Sequence, residues 1–148
     1  DSPYMPENQK PYMRQNIQRM KENMGELVSL SDDYTQYIIK NDKPQLVVVL
    51  IDGECGSTTE HFLFIAKQSK QVTIMGRPTI GMYDYGDMRN FIMPDADLEL
   101  WCATNRSRRL NSGEGIDNSG IHPDITLNMN QNWIDEAMIL LNDYTNRR

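Results

Sequence analysis

Residues 46–60 read Leu46-Val47-Val48-Val49-Leu50-Ile51-Asp52-Gly53-Glu54-Cys55-Gly56-Ser57-Thr58-Thr59-Glu60. The first six are continuously apolar and rich in valine, the pattern of a strand covered on both faces and so typical of a parallel sheet. This segment reads as the central strand. A small-residue turn follows, and from Thr58 the chain reads as a helix of about ten residues through Lys67, with Phe62, Ile65 and Ala66 facing inward. Gln71 to Met75 reads as the next strand. Strand, helix and strand in about 30 residues make a right-handed βαβ unit, so the fold class is α/β. Ser57 stands where the strand passes into the helix. There the unpaired backbone N–H groups and the positive end of the helix dipole favour an oxyanion forming beside its hydroxyl. Ser57 followed three residues later by Glu60 is also a helix capping box, and the two readings are compatible.

Upstream, the first ten residues are polar, contain Pro3 and Pro6, and read as a tail. Met13, Ile17, Met20 and Met24 recur on one helical face, Gly25 suits the left-handed residue past the helix end, and the stripe is expected to pack on a core. Tyr34 to Lys40 reads as a short helix weakened by the β-branched Ile38 and Ile39. Residues 1–45 are therefore expected to form a tail and helical segment, and residues 46–148 the main α/β unit. Downstream, Gly76-Arg77-Pro78-Thr79-Ile80-Gly81 is a punctuated loop beyond the second parallel strand, the edge at which open α/β sheets bind ligands. Met88 to Met93 and Leu98 to Ala103 flank Pro94-Asp95-Ala96-Asp97 and read as a β-hairpin. Gly113 to Pro123 is a turn-rich loop. Trp133, Ile134, Ala137, Met138, Leu141 and Tyr144 mark a C-terminal amphipathic helix.

At 148 residues and a net charge of −6, the chain suits one principal domain and argues against general binding to nucleic acid or anionic membranes, which needs clustered Lys and Arg. The small cluster Arg106, Arg108 and Arg109 reads as a solvated loop. No apolar run approaches the roughly 20 residues of a membrane span. Two cysteines, Cys55 and Cys102, are too few and too far apart for a metal motif or a disulfide framework. Neither a phosphate-binding Gly-x-x-x-x-Gly-Lys-Ser/Thr nor a dinucleotide Gly-x-Gly-x-x-Gly after a strand is present, so nucleotide hydrolysis is not expected; no cofactor and no metal are assigned. A serine nucleophile needs a base, because its hydroxyl is hardly ionised at neutral pH. Of the two histidines, His61 lies one helical turn beyond Ser57, and His122 sits in the loop Gly120-Ile121-His122-Pro123-Asp124. A surface histidine is the plain alternative for both.

Three blocks in order resemble one family: Val48 to Glu60, then Met75-Gly76-Arg77-Pro78-Thr79-Ile80-Gly81, then Asp117-Asn118-Ser119-Gly120-Ile121-His122-Pro123-Asp124-Ile125. Together they are similar to the tail-specific, or C-terminal processing, serine peptidases. The likeness runs from about Leu46 to Leu127, and the helix ending Glu22-Asn23-Met24-Gly25 resembles an insertion of bacterial envelope members. The resemblance implies a crotonase-like α/β core, here incomplete, with a polypeptide substrate and an exported location in the periplasm or cell envelope. It makes Ser57 the nucleophile and the Thr58 N–H an oxyanion donor, with Gly56, Gly76, Thr79 and Gly81 around the substrate. In the serine–lysine branch a lysine directly follows the glycine of Thr-x-Gly, whereas Met82 stands there in this chain, and Lys67 and Lys70 lie near the helix end. The tricorn-type branch, with a histidine base supplied by an earlier part of the chain, fits better, and Asp117 matches the acidic residue that orients that base. The plain alternative for Asp117 is a turn-forming aspartate.

The base, the second oxyanion donor and any recognition domain are then expected before Asp1, in a larger exported enzyme. Two other classes remain open. One is a catalytically silent module that binds extended peptides at a sheet edge, and the other is an acyl-CoA enzyme on the shared core. Open sheet edges also offer a route to homo-oligomers.

Overall fold

The computed structural model describes residues 4–31, 43–95 and 97–146. Tyr34 to Lys40, read above as a short helix, lies outside them. Two units separate, Asp1–Lys40 and Asn41–Arg148.

In the first unit a 3-10 turn, Glu7–Gln9, leads into helix α1, Lys10–Glu22. Pro11 is tolerated in the first turn, where its missing N–H has no helical partner to lose. The helical turn thus begins within the stretch that reads as a tail. The following segment folds back along α1: Tyr12 Oη donates to the Leu30 carbonyl at 2.6 Å, and Arg19 donates to that of Ser29 at 2.7 Å. The stripe expected to pack on a core is largely open, from 37% exposure at Met13 to 84% at Met24. Periodicity defines which face of a helix is apolar, and it does not by itself supply the surface that covers that face.

The second unit is built on a parallel sheet. Strand β1, Val47–Ile51, pairs with β2, Val72–Gly76, in the register Val47 with Val72 through Ile51 with Gly76. Helix α2, Thr58–Ala66, is the crossover between them. A two-residue strand β5, Ile125–Thr126, pairs parallel to the other edge of β2, giving the order β1-β2-β5. The central strand is therefore β2, which corrects the expectation for β1. The apolar run of β1 reflects packing on both faces, and strand position in a sheet leaves no separate mark on such a run.

Alternation along the strands explains the two cores. Ile51 and Ile74 join Leu63 of α2 with Ile116 and Ile121 on one face, with Val49 and Val72 packed against them. Val48 and Met75 point to the other face, where Leu127, Ala137, Trp133 and Leu140 cover them. The last three belong to helix α3, Trp133–Asn146. Its buried face runs through Trp133, Ala137 and Leu140, whereas Ile134 and Met138, expected inside, are exposed.

Helix α2 differs in the same way. Leu63 and Glu60 are fully buried, whereas Phe62 and Ile65, expected inside, are more than half exposed. A buried glutamate at the first turn rotates the inward face away from the one that hydrophobicity alone selects.

Strands β3, Tyr85–Ile92, and β4, Glu99–Arg106, form the expected hairpin, longer than its apolar cores suggested. It is a separate two-stranded sheet, closed at its neck where Ser107 N–H donates to the Asp84 carbonyl at 2.7 Å. A 3-10 turn, Arg108–Ser112, follows and ends on the left-handed Gly113.

Candidate active site

The turn from β1 to α2 is held by Asp52, whose Oδ1 accepts the Glu54 N–H at 3.0 Å, and by the Cys55 N–H, which donates to the Asp52 carbonyl at 3.1 Å. Ser57 then adopts φ 53° and ψ −112°. For a residue with a Cβ this is a sparsely populated conformation, costing on the order of 1–3 kcal/mol, and such strain persists only where neighbours over-determine it. It resembles the sharp strand-to-helix elbow that presents a nucleophilic serine at the top of a sheet. The Ser57 residue is exposed. Thr58 begins α2, so its N–H is one of the helix's orphan donors and lies at the positive end of the dipole. Gly56 admits a close neighbour: a Cβ there would lie 2.6 Å from Ile80 Cγ2.

Glu60, one turn into α2, knits this elbow to the loop after β2. Its Oε2 accepts the N–H groups of Ser57 at 3.0 Å and Met82 at 2.9 Å. Its Oε1 accepts the Thr79 hydroxyl at 2.6 Å and the Gly81 N–H at 2.8 Å. The Thr79 hydroxyl in turn accepts the Ile121 N–H at 2.7 Å, and the Gly81 carbonyl accepts the Asn118 N–H at 3.1 Å. The three sequence blocks therefore meet in one hydrogen-bonded assembly.

The loop residues expected around the substrate have a scaffold position. Thr79 is 5% exposed with its hydroxyl committed twice, and the Gly81 N–H and carbonyl are both taken. The Gly76 carbonyl accepts the Leu127 N–H at 2.8 Å. The glycine is required there because a Cβ would stand 2.0 Å from the Ile51 carbonyl oxygen. With the Gly81 and Met82 amides both turned to Glu60, this loop offers neither as a second oxyanion donor.

Asp117, expected to orient a base, also has internal partners. Its Oδ1 accepts the N–H groups of Tyr83 at 3.0 Å and Asp84 at 2.8 Å. Asp84, 1% exposed, replies through Oδ2, which accepts the N–H groups of Ile116 and of Asp117, the latter at 2.8 Å. The two aspartates thus brace the chain on either side of the hairpin. Arg109 completes the brace: it pairs with Asp84 at 3.3 Å, and its guanidinium lies 3.9 Å from the Phe64 ring centre and 4.9 Å from that of Tyr83. This geometry favours the bracing role over contact with a base. Asp124 Oδ2 accepts the Ile74 N–H at 2.8 Å and anchors the chain entering β5.

No base joins Ser57 among the described residues. His61 is exposed and its ring stacks on Tyr83, with centres 5.4 Å apart. His122 is exposed, and its carbonyl accepts from Lys67 Nζ at 3.4 Å. Lys67 lies at the far end of α2, roughly 15 Å along the helix axis from Ser57, and faces Asp124 at 3.9 Å. Met82 has no proton-accepting group.

Beside the elbow, an open cleft of about 590 Å³ lies against the residues following β1 and β2. Asp52, Glu54, Arg77, Met129, Gln131 and Trp133 line it, and Ser57 does not. Its place at the carboxyl ends of parallel strands is where α/β sheets commonly bind ligands. No group of three or more metal-ligating side chains occurs among the described residues, and no helix there is long and apolar enough to cross a membrane.

Glu60 and Asp84 are the site residues that sequence reasoning missed. Glu60 carried a signal as the third helical residue of a capping box, and its further partners lie 19–22 residues away. Asp84 carried none.

Residues 4–127 match the family model described as peptidase family S41. No curated protein matches the chain. Among solved structures, one of a candidate peptidase from Parabacteroides merdae is 21% identical, with a TM-score of 0.44, and the match covers 65% of this chain and 31% of that one. The chain thus spans less than a third of that neighbour's length.

Proposed function

The chain belongs to peptidase family S41, and from that premise we propose that it is a serine-type peptidase module whose nucleophile is Ser57. The observation that carries this reading is the strained conformation of Ser57 at the start of α2. In the reaction, a base takes the Ser57 hydroxyl proton as Oγ bonds to the scissile carbonyl carbon. The carbonyl π electrons move to oxygen, and the Thr58 N–H stands at the helix terminus to stabilise that oxyanion. Collapse expels the amine, which receives the proton, and leaves an acyl-enzyme that water hydrolyses.

The base and the second oxyanion donor come from residues preceding this chain, as in the tricorn-type branch of the tail-specific peptidases, on a crotonase-like core that those residues complete. Processing of exposed polypeptide ends in the bacterial cell envelope is the corresponding role. Among the described residues the outer edge of β1 has no strand partner, and that edge is then the place for a further strand, from the preceding residues or a second copy.

The test is hydrolysis by the full-length protein and its labelling by a fluorophosphonate. Ser57→Ala is expected to abolish both, and turnover or labelling unchanged in that variant overturns the reading. The stacking of His61 on Tyr83 favours one second reading, a silent module that binds peptides without cleaving them. Calorimetric binding with no product over long incubation selects it, and any Ser57-dependent product excludes it.

A further inference from the structure

We infer that Glu60 is the positioning residue for Ser57, holding the nucleophile's backbone in its strained conformation and tying it to the Thr79–Met82 loop. The inference rests on the reading of Ser57 as nucleophile and adds a residue that touches neither substrate nor reacting atoms.

A capping glutamate needs only the bond from the N-cap N–H, and it commonly lies on the helix surface. Glu60 is 0% exposed and accepts four hydrogen bonds, two on each carboxylate oxygen. The direction of each is determined. Three donors are backbone N–H groups. The fourth, the Thr79 hydroxyl, accepts the Ile121 N–H and so turns its own proton to Glu60. A buried carboxylate with all four acceptor positions filled has nothing left to offer a substrate, and it is the group that best suits four converging donors.

The consequence falls on Ser57. Helix α2 defines the peptide after it, and Glu60 Oε2 fixes the N–H before it at 3.0 Å. The same oxygen holds Met82 N–H, so displacement of the loop is transmitted to the elbow through one atom. Ile80 and Met82, about half and somewhat more than half exposed, carry the loop's outward side chains. The Ile80 N–H also donates to the Cys55 carbonyl at 2.9 Å, within the turn that leads to Ser57. A peptide pressing on these side chains would load the nucleophile's support directly.

Replacing one carboxylate oxygen by an amide NH₂ sets donor against donor and releases two of the four bonds. In the full-length protein, Glu60→Gln is expected to lower both kcat and the fluorophosphonate labelling rate about 10²-fold with KM unchanged, the scale of a misplacement near 1 Å. Glu60→Asp, one methylene short, is expected to behave alike. Wild-type kcat in Glu60→Gln, or a loss confined to KM, overturns the inference while leaving Ser57 in place. Should that variant fail to fold, Thr79→Val removes one donor to Glu60 together with the acceptor of the Ile121 N–H and is expected to lower kcat several-fold at unchanged KM, with an unchanged kcat again overturning it. Labelling that survives Ser57→Ala instead overturns the reading of Ser57, and this inference with it.

Discussion

Replacing Asp117 separates a brace from a catalytic acid, because asparagine satisfies one role and fails the other. In the structure a single oxygen, Oδ1, receives the N–H groups of Tyr83 and Asp84 at 3.0 and 2.8 Å. Asp117→Asn keeps an oxygen of the same reach, and the two amides retain their acceptor. Stability is expected to change by less than about 1 kcal/mol, and kcat of the full-length protein by only a few-fold. Asp117→Ala strands both amides. Each of these part-buried donors left unsatisfied costs about 1–3 kcal/mol, so the loss is expected to be about 2–6 kcal/mol. For a chain of this size that lowers the thermal midpoint by roughly 6–18 °C. Thermal unfolding followed by circular dichroism reads the first quantity, and steady-state hydrolysis the second. An acid that orients a histidine base behaves differently: its amide variant folds normally and loses kcat by a factor approaching 10⁴, as in serine–histidine–aspartate triads. Asp117→Asn with wild-type stability and a loss of that size would refute the bracing role.

Three further outcomes follow from the packing. Leu63→Ala empties a fully buried site between α2 and the sheet and is expected to cost about 2–5 kcal/mol in urea unfolding; a cost below 1 kcal/mol would mean that this face is not close-packed. Gly120→Ala places a Cβ 2.0 Å from the Thr79 carbonyl oxygen at φ +70°, so a loss above about 1 kcal/mol is expected, and a stabilised variant would contradict the seam between the two loops. Arg109→Met removes the partner of buried Asp84 and is expected to cost about 2–4 kcal/mol. Arg109→Lys should restore less than half of it, because a point charge does not lie flat on Phe64 and Tyr83; equal stability of the lysine variant and wild type would count against the stacking.

Strands β1 and β2, helices α2 and α3, and the hairpin are legible in the sequence because each is announced by a local pattern: a valine run, helical periodicity, or a proline turn between extended segments. Sheet order is not local. Nothing in Ile125-Thr126 marks two residues as a strand, since their partners are Met75 and Gly76, 50 residues earlier. The inward face of α2 was misread for a related reason. Glu60 is buried because Thr79, Gly81 and Met82 satisfy it, and those partners become visible only when the loop is folded against the helix. Ser57 was legible as a cap or a nucleophile, and its backbone angles add what composition could not. Asp117 was legible as a special position, but its partners at 83 and 84 depend on the hairpin returning to where it began.

That return has an evolutionary and engineering corollary. Residues 85–106 depart and come back through one closed neck, the bond from Ser107 N–H to the Asp84 carbonyl, while the aspartate brace and the serine's supports lie below it. The excursion is therefore an interchangeable cassette, since closing a chain across so short a gap depends only weakly on how many residues intervene. Lengthening, trimming or exchanging it leaves in place the bonds of Asp117, Asp84 and Glu60 beneath. Substitution of 85–106 by a tight turn in the full-length protein is expected to leave fluorophosphonate labelling at Ser57 intact. Loss of labelling in a folded variant would show that the cassette and the nucleophile are not independent.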